Sequence, residues 1–80
     1  MNIFYMSMKP LLPEKLTELA DSEHINFRAL AAWHPKTPIP TLVKLSNDVE
    51  ERIRNNVAIN PNTPKYIKNY YYYQEYFDSL

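Results

Sequence analysis

Apolar residues recur along this chain at helical spacing, not at the alternation of a strand. Leu16, Leu19 and Ala20 follow the i, i+3, i+4 rule of one buried helical face, and Leu42, Val43 and Leu45 mark a second such face. Phe27, Leu30 and Ala31, then Ile53 and Val57, predict a further helix after each of these, with those residues inside. Between the helices of each pair, Asp21-Ser22 and Asn47-Asp48 read as N-caps ahead of Glu23 and Glu50-Glu51, acids that suit the positive end of a helix. His34-Pro35 and Asn60-Pro61 end the second helix of each pair, because the residue before proline is pushed out of the α region. Thr37-Pro38 and Thr63-Pro64 then predict a restart, with Thr as cap and Pro at the first helical position, where its missing N–H costs nothing.

One constant shift along the sequence superposes these pairs. Leu16 falls on Leu42, Leu19 on Leu45, Arg28 on Arg54, Ala32 on Ala58, Pro35 on Pro61, Thr37 on Thr63 and Pro38 on Pro64, all without a gap. The spacing from Leu16 to Leu42 is thus a fixed period, and a period of this size signals stacked helical units. The organisation that follows is one domain: an N-terminal arm over 1–9, unit one over 10–38, unit two over 39–64 and a C-terminal aromatic helix over 65–80. At 100° per residue, Tyr66, Ile67, Tyr70, Tyr73, Gln74 and Phe77 fall on one side of that last helix and are expected to close the stack. Tyr72 and Tyr76 fall opposite, with Lys65, Lys68 and Glu75.

Composition narrows the chemistry. The 80 residues include no Gly and no Cys, but seven Pro, so the prolines carry the punctuation between helices. Without cysteine there is no disulfide framework, thiolate metal site or thiol nucleophile, and without glycine no phosphate-cradling Gly loop. Nine Lys and Arg offset nine Asp and Glu, which argues against nucleic acid as the partner, since its binders usually carry a basic excess. No apolar run approaches the ~18 residues of a membrane span, and the start lacks a basic n-region, so a cytoplasmic protein is expected. A core this small gains from association, and two units leave apolar ends uncapped, so a homodimer is expected. Ile3, Phe4, Tyr5 and Met6 read either as a segment over the first helix, as a frayed end, or as a docking arm.

The repeat carries a family resemblance. Thr37, Pro38, Leu42, Leu45, Asp48, Arg54, Val57, Ala58, Asn60, Pro61, Thr63 and Pro64 resemble the motif of the leucine-rich repeat variant family, a relative of HEAT-type helical repeats. Unit one matches more loosely, with Trp33-His34-Pro35 in place of x-Asn-Pro, and the likeness covers roughly residues 10 to 67. It implies an all-α fold of about five short helices in a HEAT-like stack, with protein-contact surfaces and no chemistry. In size, in its Asn, Lys, Tyr and Ile content, and from Arg28-Ala-Leu-Ala-Ala-Trp-His-Pro through Asn62-Thr63-Pro64, the chain is also similar to the lysis-inhibition accessory proteins of T-even-type bacteriophages. That likeness implies a cytoplasmic antiholin that binds the cytoplasmic segment of a holin and delays lysis.

Candidate residues sort accordingly. His24 and His34 have no third ligand at metal spacing, and His34, in the register of Asn60, reads as a helix-end cap. Glu14, Glu18, Asp21 and Glu23 read as a solvated acidic face, and Glu50 and Glu51 as i+3/i+4 partners of Arg54. HEAT-like stacks imply that Arg28, Asp48 and Arg54 form a structural ladder between units, with the grip of an acidic partner as the alternative. Trp33 reads as a core or half-buried residue, or as an interface aromatic, and Tyr71, Tyr72 and Tyr76, with Trp33, make up the expected partner surface. No cofactor, metal or catalytic residue is expected. A nucleic-acid groove of Tyr, Trp and Arg, or an enzyme, are the readings left behind the binding module.

Overall fold

The computed structural model describes residues 11–70, and within them every regular element is helical. Helix α1 spans Pro13–Leu19, α2 Ile25–Trp33, α3 Ile39–Leu45 and α4 Glu51–Ile59. A fifth helical segment, α5, occupies residues 65–70. The bounds of α3 and α4 lie one period beyond those of α1 and α2, and α5 starts one period after α3. The period therefore sets the elements themselves, and the chain is all-α.

Within each unit the helices turn back on one another, α1 on α2 and α3 on α4, while α2 packs against α4 across the units more extensively than any other pair. Composition explains that choice. Ala29, Ala31 and Ala32 are buried on α2 and let α4 approach closely, with Ile53 and Val57 filling the space from the other side. Leu42, Leu45 and Ala20 complete this cluster, and Leu19 and Ile67 pack on its margins.

The helix starts differ from the sequence-based expectation. α2 and α4 begin at Ile25 and Glu51, with His24 and Glu50 at the N-cap and no side-chain cap bond at either. Ser22 Oγ accepts from His24 N–H at 3.0 Å and Asp48 Oδ1 from Glu50 N–H at 3.0 Å, so these two residues close the turn before the helix and do not cap its first turn. Likewise Pro38, not Thr37, is the N-cap of α3, and Pro40 falls inside its first turn. Thr37 reaches backward instead: its Oγ1 donates to Ala31 O at 2.5 Å, and Thr63 Oγ1 does the same to Val57 O at 2.6 Å. Both threonines are buried, which a hydroxyl tolerates only with such a bond.

Phe27 also departs from its assignment to the core, being 47% exposed while its counterpart Ile53 is fully buried. The alanine face of α2 takes the contact with α4, and the Phe27 ring lies outside it, edge-on to His24 with ring centres 5.4 Å apart. Leu42 is fully buried within the cluster and Val49 lies on the surface. Leu42→Ala is expected to lower unfolding free energy by about 2–5 kcal/mol, and Val49→Ala by less than about 0.5 kcal/mol, as read from urea denaturation.

Candidate protein-binding surface

Two surfaces follow from the repeat: a polar seam between the units and the aromatic edges the units leave outside. The seam begins with Arg28. Its Nη1 donates to Ser22 O at 2.9 Å and Glu23 O at 3.1 Å, which fixes the guanidinium over the turn of its own unit. Its Nε and Nη2 then donate to the two carboxylate oxygens of Asp48 in the next unit, at 2.8 and 3.3 Å. Arg54 repeats the first half of this arrangement, Nη1 donating to Asp48 O at 2.7 Å, and forms no ion pair with Glu50 or Glu51. The structure thus brings Arg28, Asp48 and Arg54 together around one turn.

The amides of α4 extend the seam. Asn60, fully enclosed, donates from Nδ2 to Ala32 O at 2.8 Å and His34 O at 2.9 Å, while its Oδ1 accepts from Asn62 N–H at 2.8 Å. Asn56 Nδ2 donates to Ala29 O at 3.1 Å, and Asn62 Nδ2 to Pro35 O. Of these acceptors, Ala32 O, His34 O and Pro35 O lie in the last turn of α2 or just beyond it, where backbone carbonyls lack partners within the helix. His34 keeps half of the role that Asn60 plays, its Nδ1 accepting from Lys36 N–H at 3.1 Å. On the other layer, α1 meets α3 through the Thr17 and Thr41 hydroxyls, 3.0 Å apart, and the Asp21–Lys44 ion pair. The remaining acids of the first unit, Glu14, Glu18 and Glu23, are exposed.

Asp48 illustrates the electrostatics. Burial alone would raise its pKa, but the Arg28 hydrogen bond, the Glu50 N–H and the charges of Arg28 and Arg54 outweigh burial and hold the carboxyl below its ordinary value. The same hydrogen bond raises Arg28 against the effect of its desolvation.

The seam between α3 and α5 has different chemistry. By the same period, Val43 and Ile67 stand where Thr17 and Thr41 meet, and Asn47 and Tyr70 stand where Asp21 and Lys44 pair. A groove of about 350 Å³ lies there, lined by Val43, Ser46, Asn47, Tyr66, Ile67 and Tyr70. Tyr66 and Tyr70 are 64% and 61% exposed, so the side of the last helix expected to close the stack instead presents two aromatics to solvent. The period is the reason: Tyr66 and Tyr70 stand in the register of Pro40 and Lys44, and before them of Glu14 and Glu18, all of which are exposed. That register, visible in the sequence, is the signal that these two positions of the last helix face solvent.

An apolar edge runs along the C-terminal ends of α2 and α4. Trp33 is 55% exposed, which removes it from the core, and Ile59 at the equivalent position is 69% exposed. The reason is again the alanine face: Trp33 follows Ala31 and Ala32, which turn inward, and its ring lies edge-on to His34 with centres 6.3 Å apart. Tyr71, Tyr72 and Tyr76 lie outside the described residues. Sequence reasoning does not single out Ile59, Tyr66 or Tyr70 as surface anchors. Compared with protein-family models, curated proteins and solved structures, the chain gives no match.

Two outcomes test the seam. Because the folded state holds Asp48 below its ordinary pKa of about 3.9, its contribution to stability is complete above that value and is lost as pH falls through the lowered one. Asp48→Asn is therefore expected to flatten the part of the acid unfolding curve between about pH 5 and about pH 2 that this group causes, as followed by circular dichroism. Asn60→Ala leaves Ala32 O and His34 O without their side-chain donor and is expected to cost about 1–3 kcal/mol at neutral pH in urea denaturation.

Proposed function

We propose that this chain is a non-enzymatic protein-binding regulator whose partner docks on its exposed aromatics. The observation that carries the reading is the α3–α5 groove, where Tyr66 and Tyr70 stand exposed beside Val43 and Ile67. Tyrosine suits such a place because it joins a large apolar area to a hydrogen-bonding tip at small conformational cost. Trp33 and Ile59 offer a second apolar edge of the same kind. A helix laid along such grooves and anchored by apolar side chains is one of the common modes of peptide recognition.

The partner class follows from the resemblance to the phage lysis-inhibition accessory proteins: the cytoplasmic segment of a holin, whose capture delays lysis. An adaptor role in another complex is the alternative, using the same groove. Among the described residues no helix is long and apolar enough to cross a membrane, so the reading assigns the chain a peripheral role at such a partner.

The test is calorimetric titration of the full chain with a peptide of a T-even holin's cytoplasmic segment. Saturable binding is expected, and changing Tyr66 and Tyr70 together to Ser is expected to weaken it by about tenfold or more while the helical circular dichroism is kept. Absence of binding removes the holin assignment. Binding indifferent to the tyrosine changes removes the groove as the site.

A further inference from the structure

The unit boundary provides its own template for a partner. Unit two covers α2 by placing a carboxylate, Asp48, on Arg28, and two amides, Asn56 and Asn60, on the carbonyls of Ala29, Ala32 and His34. Advancing these acceptors by one period gives Arg54 and the carbonyls of Asn55, Ala58 and Asn60, all on or just beyond α4. Because α4 has the bounds of α2 shifted by one period, these groups form the corresponding face of α4. Arg54 is already set in the same posture: its Nη1 is fixed on Asp48 O as that of Arg28 is on Ser22 O.

What differs is the second half of the contact. Among the described residues no carboxylate bonds Arg54, and no side chain donates to Ala58 O. The position that would supply the acid, one period beyond Asp48, is the uncharged Gln74, outside the described residues. Charge is also segregated along this neutral chain: residues 52–70 contain Arg52, Arg54, Lys65 and Lys68 and no Asp or Glu. Arg52 is turned toward the first unit, where its Nη2 donates to Asn26 at 2.6 Å, so Arg54 is the cation on the outward face.

We infer that the outward face of α4 receives an acidic helix from a partner protein, one that presents a carboxylate to Arg54 and amide side chains eight and twelve residues later, as Asp48, Asn56 and Asn60 do for α2. A second copy stacked in register does not fit this description, because its first unit offers Ser22, Leu30 and His34 at those positions. The inference rests on the binding-module reading and adds to it a second surface and the chemistry of what covers it.

The probe is a stapled helical peptide of this chain's own residues 47–63, titrated onto the full-length protein by fluorescence anisotropy. Saturable binding is expected, weakened by about tenfold or more by D48N in the peptide or by R54Q in the protein. R54K is expected to weaken it as well, since an ammonium cannot offer the two-pronged edge that Arg28 uses. Should R54Q fail to fold by circular dichroism, D48N peptide on the unaltered protein decides the matter. No binding, or equal binding of the D48N peptide, overturns the inference. So does competition by duplex DNA, which would mark the face as a nucleic-acid site, or a dimer that dissociates on R54K, which would mark it as a self-contact. If the inference fails while the tyrosine-dependent titration of the groove succeeds, the binding-module reading stands without this second surface.

Discussion

A chain without glycine has to end its helices some other way, and most of this structure follows from how it does so. The usual exit is a residue in the left-handed region, which lets the following N–H groups return to the last carbonyls. Here no described residue has positive φ, and α2 and α4 leave into extended backbone at His34 and Asn60, each held there by the proline that follows. The last carbonyls are then met from the side. Thr37 and Thr63 each swing back six residues, and Asn60 crosses from one unit to the other to serve two carbonyls at once. The end of one helix is therefore completed by the unit after it. Secondary structure and tertiary packing are here the same set of bonds.

This arrangement accounts for what could be read from the sequence and what could not. The period and the four helices are set by the spacing of apolar residues and prolines, which is a local property. The roles of Thr37 and Thr63 escape a sequence reading because the residue pair Thr-Pro is equally compatible with a cap on the following helix. Only the depth at which the hydroxyl is buried decides, and depth comes from packing. Trp33 and Phe27 escape for a related reason. A large apolar residue suggests a core, but α2 meets α4 on alanines, and close approach of two helices excludes rings from the contact. The exposed tyrosines are in principle legible, since the same register holds Glu14, Glu18 and Lys44, charged residues that stay outside.

The two kinds of seam differ in chemistry. Where the units must hold together, contacts are made by short polar side chains with fixed partners, several of them buried, and their geometry leaves no room for a different occupant. Where α5 follows α3, the same positions carry Val, Ile, Asn and Tyr, whose contacts are adaptable and whose surfaces stay accessible. A repeat thus yields an accessible groove with little new structure, by relaxing the chemistry of one boundary while keeping the helix positions of the others. The zero net charge of the whole chain conceals a local asymmetry, since residues 52–70 hold Arg52, Arg54, Lys65 and Lys68 and no Asp or Glu.

Every side-chain bond across the seam joins residues about one period apart in the chain. No pairing in it waits for distant parts of the chain to meet, so the loop that must close before packing can stabilise it is short and has nearly the same length each time. Low contact order of this kind places a domain among the fast folders. The described part of the chain can assemble as it emerges from synthesis, its first unit gaining its final helix end only when the second is complete.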